Sequence, residues 1–217
     1  MKNEYIPFIS EIKEVIKHTD IEYTFRMTYE GDVKPGQFFE VSLPKFGEAP
    51  ISVSGIGKGT VDLTIRRVGK VTNEIFTNYV GDKLFLRGPY GNGFDVNNYK
   101  GKEITVVAGG TGLSPVRGVV EYFAENREEA ENFNLICGFK SPEDILFKDD
   151  LKLWEDKMNL ILTVDKAHEG YAGNTGLVTT FIPELEIKDI NNTAFIVVGP
   201  PMMMKFTVLE ILKRGVP

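Results

Sequence analysis

Cysteine, histidine and long apolar runs are all scarce in this sequence. Cys137 stands alone among 217 residues, so no intrachain disulfide framework exists. The only two histidines, His18 and His168, have no partner at metal-ligand spacing and read as surface residues. No apolar stretch approaches the roughly 20 residues needed to span a bilayer. The opening MKNEYIPFISEIKEV is broken by charge too often for a signal peptide. The reading is therefore no membrane insertion, with the cytoplasm as default compartment. Positive charge is in deficit as well: the net charge is −6. Without a long basic tract, that argues against nucleic acid or an anionic membrane as partner. The G-x-G-x-x-G dinucleotide fingerprint is missing, and no nucleophile–base pair is visible.

The remaining composition, 42% hydrophobic and 26% charged, suits a globular chain with a real core. Two textures divide it, with a polar joint at 97–101 (NNYKG). Residues 1–100 carry short apolar and β-branched runs at 5–9, 21–28, 37–43, 51–56, 61–68 and 84–87, separated by Gly, Pro and Asp turns. Strands at this spacing predict a small antiparallel barrel or sandwich. One helix fits 72–79, capped by Thr72, with Ile75, Phe76 and Tyr79 as its apolar stripe. Residues 101–217 instead alternate strands (104–108, 133–137, 159–164, 194–198) with helices (114–127, about 147–156, about 201–213). Such alternation predicts βαβ units and a parallel sheet covered by helices.

The second half turns on ITVVAGGTGLSPVR, 104–117. A β-branched strand runs into Gly109, Gly110, Thr111 and Gly112 and reopens as a helix with Pro115 in its first turn. Glycines let a backbone approach a pyrophosphate, and free helix amides point at it. The bland reading is a strand-to-helix turn that merely needs glycine. The other predicted strands also end in conspicuous turns: Gly138-Phe139-Lys140-Ser141-Pro142, Asp165-Lys166, and Gly199-Pro200-Pro201-Met202. Four such turns on the carboxyl edge of one sheet describe a ligand cleft.

Six segments in order, GEAPISVSG, IRRVGKVTN, LRGPYGNGF, VAGGTGLSP, CGFKSPEDILF and VVGPPMMMKF, resemble the ferredoxin–NADP reductase superfamily over essentially the whole sequence. The resemblance implies an FAD-binding Greek-key β-barrel over 1–100 and an NAD(P)-binding α/β domain over 101–217. Within its branch lie the B subunit of anaerobic sulfite reductase, the electron-transfer subunit of dihydroorotate dehydrogenase and the gamma subunit of sulfhydrogenases. GPYGNGFD and GPPMMMKF look most like the first. The family's flavin motif Arg-x-Tyr-Ser/Thr maps onto Ala49-Pro50-Ile51-Ser52. It implies Ser52 beside flavin N5 and Pro50 and Ile51 along the ring, while Ala49 lacks the diphosphate arginine. Arg66 or Arg67 and the backbone of Gly69, Lys70, Val71 and Thr72 are the implied compensators for the diphosphate, and Thr64 and Ile65 are counted beside them as cofactor-binding. Alternation sends one of the two arginines inward, and the inward one needs an anion.

In the second domain the resemblance implies Gly109, Gly110, Thr111 and Gly112 at the nucleotide diphosphate and Cys137-Gly138 at the nicotinamide. It places Gly199, Pro200, Pro201 and Met202 in the closing loop. For Cys137 the plain alternative is a small buried hydrophobe; for the methionines it is helix packing. Asp165 before Lys166 would repel a 2′-phosphate and accept ribose hydroxyls, which favours NADH over NADPH. The implied activity is a reductase component moving electrons from NAD(P)H through FAD to an iron–sulfur or catalytic partner subunit, first the sulfite reductase type. Alternatives are the dihydroorotate dehydrogenase or sulfhydrogenase type, and a flavin-binding module without turnover. Relatives carry a C-terminal [2Fe–2S] segment needing four cysteine-like ligands; with one cysteine, this chain is expected to hold no cluster and to be C-terminally incomplete.

Overall fold

The computed structural model describes residues 5–79 and 82–216. The chain divides into two units, Met1–Phe94 and Asp95–Pro217, the break falling just ahead of the polar joint at 97–101. Among the described residues no helix is long and apolar enough to cross a membrane.

In the first unit, alternation along each strand sends one set of side chains inward. The strands are β1 (Phe8–Lys17), β2 (Glu22–Thr28), β3 (Phe38–Leu43), β4 (Gly47–Gly57), β5 (Thr60–Arg66) and β6 (Lys83–Tyr90). They close as an antiparallel barrel in the order β1-β2-β5-β4-β3-β6, which leaves no free edge. Phe25, Met27, Phe39, Val41, Leu63, Ile65, Leu84 and Leu86 fill it. The first strand departs from the sequence reading, which ended it at 9. In FISEIKEVIK the charges point out while Phe8, Ile12 and Val15 pack on the core. A bulge between Ile12 and Glu14 breaks the period-2 pattern that would have revealed it.

The helix expected over 72–79 also starts earlier. α1 spans Lys70–Glu74 and continues as a π turn, Ile75–Tyr79. Thr72 is its third residue, not its cap. Its Oγ1 accepts from the Gly69 and Val68 amides at 2.9 and 3.0 Å, so it satisfies orphan donors by reaching backward.

In the second unit all strands are parallel: β7 (Glu103–Gly109), β8 (Asn132–Phe139), β9 (Asn159–Val164), the two-residue β10 (Asn174–Thr175) and β11 (Thr193–Val198), in the order β10-β9-β8-β7-β11. Every residue of β7 is buried, as expected of a central parallel strand. The helices are α2 (Leu113–Glu125), α3 (Lys148–Trp154) and α4 (Pro201–Lys213). Buried Glu103 accepts from the Lys188 and Asp189 amides at 3.0 and 2.8 Å, pinning the loop before β11. The stretch 166–192, unread in the sequence, holds β10 and two 3₁₀ turns, elements too short to leave a period.

Candidate functional site

Because β7, β8, β9 and β11 are parallel, their carboxyl ends share one edge, and the four turns singled out in the sequence lie along it. Gly109 ends β7, a 3₁₀ turn covers Gly110–Gly112, and α2 follows directly. The three glycines do different things. Gly110 has φ +56° with nothing within 4 Å of a would-be Cβ, so it is a left-handed residue facing open space. A Cβ on Gly112 would lie 2.5 Å from the Val198 carbonyl oxygen and 2.9 Å from Gly199 Cα. Gly109 is blocked by the Met203 sulfur. Thr111 is half-buried between them. In the first turn of α2, Ser114 is buried and its Oγ has no hydrogen-bond partner. An orphaned hydroxyl beside an open glycine fits an anionic ligand at this helix start.

Cys137 lies two residues before the end of β8, between Ala108 of β7 and Leu162 of β9, and is fully buried. Burial pushes its thiol up to about 12, so it stays protonated at neutral pH and thiolate chemistry is closed to it. Iodoacetamide at pH 8 is expected to leave the native thiol unmodified for hours and to label it on unfolding in guanidinium. Rapid native labelling would show that the thiol reaches solvent. The native state holds this proton more tightly than the unfolded chain, whose thiol titrates near 9.0. The thiol's contribution to stability is therefore full below pH 9 and declines as pH rises from about 9 toward about 12. Gly138 is glycine because a Cβ would meet Val178 at 2.5 Å. Lys140 and Asp165 are exposed at the ends of β8 and β9, their strands held together by Asp165 N–H to Phe139 O at 2.8 Å. In the β11–α4 turn, Pro200, Pro201 and Met202 are exposed, and the methionine that folds back on the sheet edge is Met203.

In the barrel, β4 presents Pro50 and Ser52 on its outer face, beside Glu40 and Phe38 of β3. Pro50 is exposed and Ser52 half-buried. Ala49 and Ile51 turn toward the barrel core. Gly47 of β4 approaches Val71, which is buried in the core, so α1 starts beside the start of β4. Ile65 is a core residue. Thr64 is spent on a buried chain: it donates to Ser54 Oγ and bonds Thr24 Oγ1, both at 2.7 Å, and Thr24 meets His18 Nε2 at 2.7 Å. His18 is thus part of the barrel's outer hydrogen-bonding, not a bare surface residue.

The expectation for the arginine pair is corrected in one respect. Arg66 is half-buried, and the anion beside it is the chain's own Glu22, 3.2 Å from Nε. The geometry makes no hydrogen bond, however, and the buried Nε–H has no acceptor. Arg67 is exposed, with Nε donating to Asn73 at 3.3 Å.

Comparison with known proteins places this geometry. The oxidoreductase NAD-binding domain family matches residues 106–208. The sulfhydrogenase 2 gamma subunit of Pyrococcus furiosus is 34% identical, over 98% of this chain and 81% of its own length. A probable dihydroorotate dehydrogenase B (NAD(+)) electron transfer subunit from Thermoplasma volcanium is 30% identical, over 94% and 72%. A ferredoxin NADP+ reductase from Neisseria gonorrhoeae, solved with FAD and NADP, superposes with a TM-score of 0.82 at 21% identity, covering 96% of this chain and 92% of that one. The chain belongs to the ferredoxin–NADP reductase-like superfamily. It is an NAD(P)H-dependent flavin oxidoreductase, built as the superfamily's barrel plus parallel-sheet domain.

The residues fit the superfamily's two cofactors. A nicotinamide dinucleotide matches the open Gly110 turn and the orphaned Ser114 hydroxyl; FAD matches half-buried Ser52, the unsatisfied Arg66 Nε–H and the helix beginning after Gly69. Sequence reasoning missed Ser114 and Glu22, and read Met203 only within a run of three methionines as helix packing, without its partners Gly109 and Gly199. Ser114 was legible in principle, as a small hydroxyl one turn into a glycine-led helix. Glu22 and the Met203 contacts were not, because each acts across a gap in the chain that no local pattern records.

Proposed function

We propose that this chain is the reductase component of a multi-subunit enzyme, carrying electrons from NADH through FAD to an iron–sulfur partner. The observation that supports it most is that relatives matched along nearly the whole chain are named as a sulfhydrogenase gamma subunit and a dihydroorotate dehydrogenase electron transfer subunit. Those names favour these two types over the sulfite reductase type suggested by GPYGNGFD and GPPMMMKF. FAD, when bound, accepts a hydride from the nicotinamide and releases electrons one at a time.

The protein's share is placement. Gly110, Thr111 and Ser114 would hold the dinucleotide's diphosphate at the start of α2, with Cys137 and Gly138 flooring the nicotinamide as neutral, water-excluding groups. Ser52 would offer a hydroxyl to the flavin edge, and Arg66 with the Gly69–Thr72 turn would take the flavin's diphosphate. Reacting rings must meet within about 3–3.5 Å, so placement outweighs any single acid or base.

The purified chain is expected to be yellow, absorbing near 450 nm, and to bleach when mixed anaerobically with NADH. A colourless chain that takes up no FAD, or a flavin that NADH leaves oxidised, overturns the reading. With the Asp165 carboxylate at the ribose end of the edge, kcat/KM for NADH should exceed that for NADPH by about tenfold, the scale of one charge contact at about 1.4 kcal/mol. Equal or better use of NADPH refutes that preference.

A further inference from the structure

Gly109 and Gly199 have no conformational need to be glycine. Gly109 sits at φ −119° and ψ 119°, torsions that suit any side chain, and Gly199 lies outside the left-handed region. The atom nearest a side chain at both is the same one, with Pro200 Cδ 3.1 Å from a Cβ on Gly109 and the Gly109 nitrogen 3.1 Å from one on Gly199 as the next contacts outside Met203. A Cβ on Gly109 would overlap the Met203 sulfur, and a Cβ on Gly199 would lie 2.6 Å from that same sulfur. The two glycines follow neighbouring strands, with Ala108 of β7 opposite Val198 of β11. Met203 is the third residue of α4 and is half-buried. It turns back over the carboxyl ends of both strands. An unbranched, polarizable thioether is well suited to fill an irregular gap of this kind.

We infer that Met203 is a positioning residue for the nicotinamide nucleotide. Its sulfur keys the β7–α2 turn to the β11–α4 turn, and so sets the spacing of the edge on which the dinucleotide rests. Gly109 and Gly199 are glycine to admit that sulfur, and the diphosphate approaches at Gly110, where nothing lies within 4 Å. This inference rests on the reductase reading above and names a residue that neither the motif nor the family relationship assigns.

The test is a cycle of Gly109→Ala, Met203→Ala and the double variant in the FAD-loaded full chain, read by NADH KM and kcat and by flavin content. Alone, Gly109→Ala expels the thioether toward the cleft and should raise KM by about tenfold, with kcat at saturation changed far less; tenfold corresponds to about 1.4 kcal/mol. Met203→Ala should raise KM by a few-fold. In the double variant the sulfur is gone and Pro200 Cδ, 3.1 Å from the alanine methyl, is the remaining close contact, so KM should fall most of the way back to the level of Met203→Ala alone. If the Gly109→Ala defect persists in full in the double variant, glycine is demanded by the nucleotide itself and the assignment of Met203 is wrong. A Gly109→Ala enzyme with unchanged KM overturns it equally. If NADH fails to reduce the flavin of the unmodified chain, the reductase reading falls, and the positioning role with it.

Discussion

Gly112→Ala is expected to lower the thermal midpoint by roughly 4–8 °C and to raise NADH KM at least about tenfold. Gly112 has φ −62° and ψ −15°, so alanine suits its backbone and would gain about 1 kcal/mol through the lower freedom of the unfolded chain. The opposing term is steric. The new Cβ would lie 2.5 Å from the Val198 oxygen, 2.8 Å from its carbonyl carbon and 2.9 Å from Gly199 Cα. All three are backbone atoms at the end of a paired strand and cannot swing aside. Overpacking costs typically about 1–3 kcal/mol; at the upper end, because nothing flexible yields, the net loss is about 2 kcal/mol. For a chain of this length each kcal/mol moves the midpoint by about 2–4 °C. The KM effect follows because the clash separates the two turns that carry the nucleotide edge, and a shift of about 1 Å can cost on the order of a hundredfold. Thermal melting and an NADH titration decide the matter. A variant as stable as the wild type would show that the turns are not in close approach.

Arg66→Ala is expected to lose FAD affinity and stability together, and Glu22→Gln should separate the two losses. Glu22's side chain is 8% exposed and Arg66's 37%. Stranding a fully buried charge costs about 3–5 kcal/mol; with Arg66 this open to water, screening lowers the expected cost to about 1–3 kcal/mol. The FAD loss has another origin. The Arg66 side chain is 37% exposed, and a charge-assisted bond from its open guanidinium to a diphosphate would contribute about 1.5–3 kcal/mol, tenfold or more in affinity. Removing the stranded charge in the double variant should recover most of the stability and none of the FAD affinity. FAD binding that recovers along with stability would make Arg66 a structural residue only.

The strand and helix content was legible wherever a period ran unbroken. The run at 159–164 and the helix at 201–213 coincide with β9 and α4, and the strands at 104–108, 133–137 and 194–198 gained two, three and one residues at their ends. Legibility failed at β1, where a bulge resets the alternation, and through 166–192, where the elements are too short to show one. At the candidate site the residue types were readable, and their assignments only partly so. The sequence reading sent one arginine toward an anion, and the structure supplies Glu22, 44 positions earlier in the numbering and paired with Arg66 across β2 and β5.

What the sequence determined by itself was the kind of structure and the edge where ligands gather. Period-2 runs with tight turns bury their apolar side in a closed antiparallel sheet or between two packed ones, and strands alternating with helices do so in a parallel one. Parallel strands then bring their carboxyl-end turns to one side whatever the details. Which glycine faces open space and which faces a sulfur, whether Cys137 meets solvent, and which carboxylate answers Arg66 were decided by the tertiary structure alone. Each depends on atoms from segments far apart in the chain meeting within a few ångströms, and close packing, unlike hydrophobic period, leaves no mark in the local order of residues.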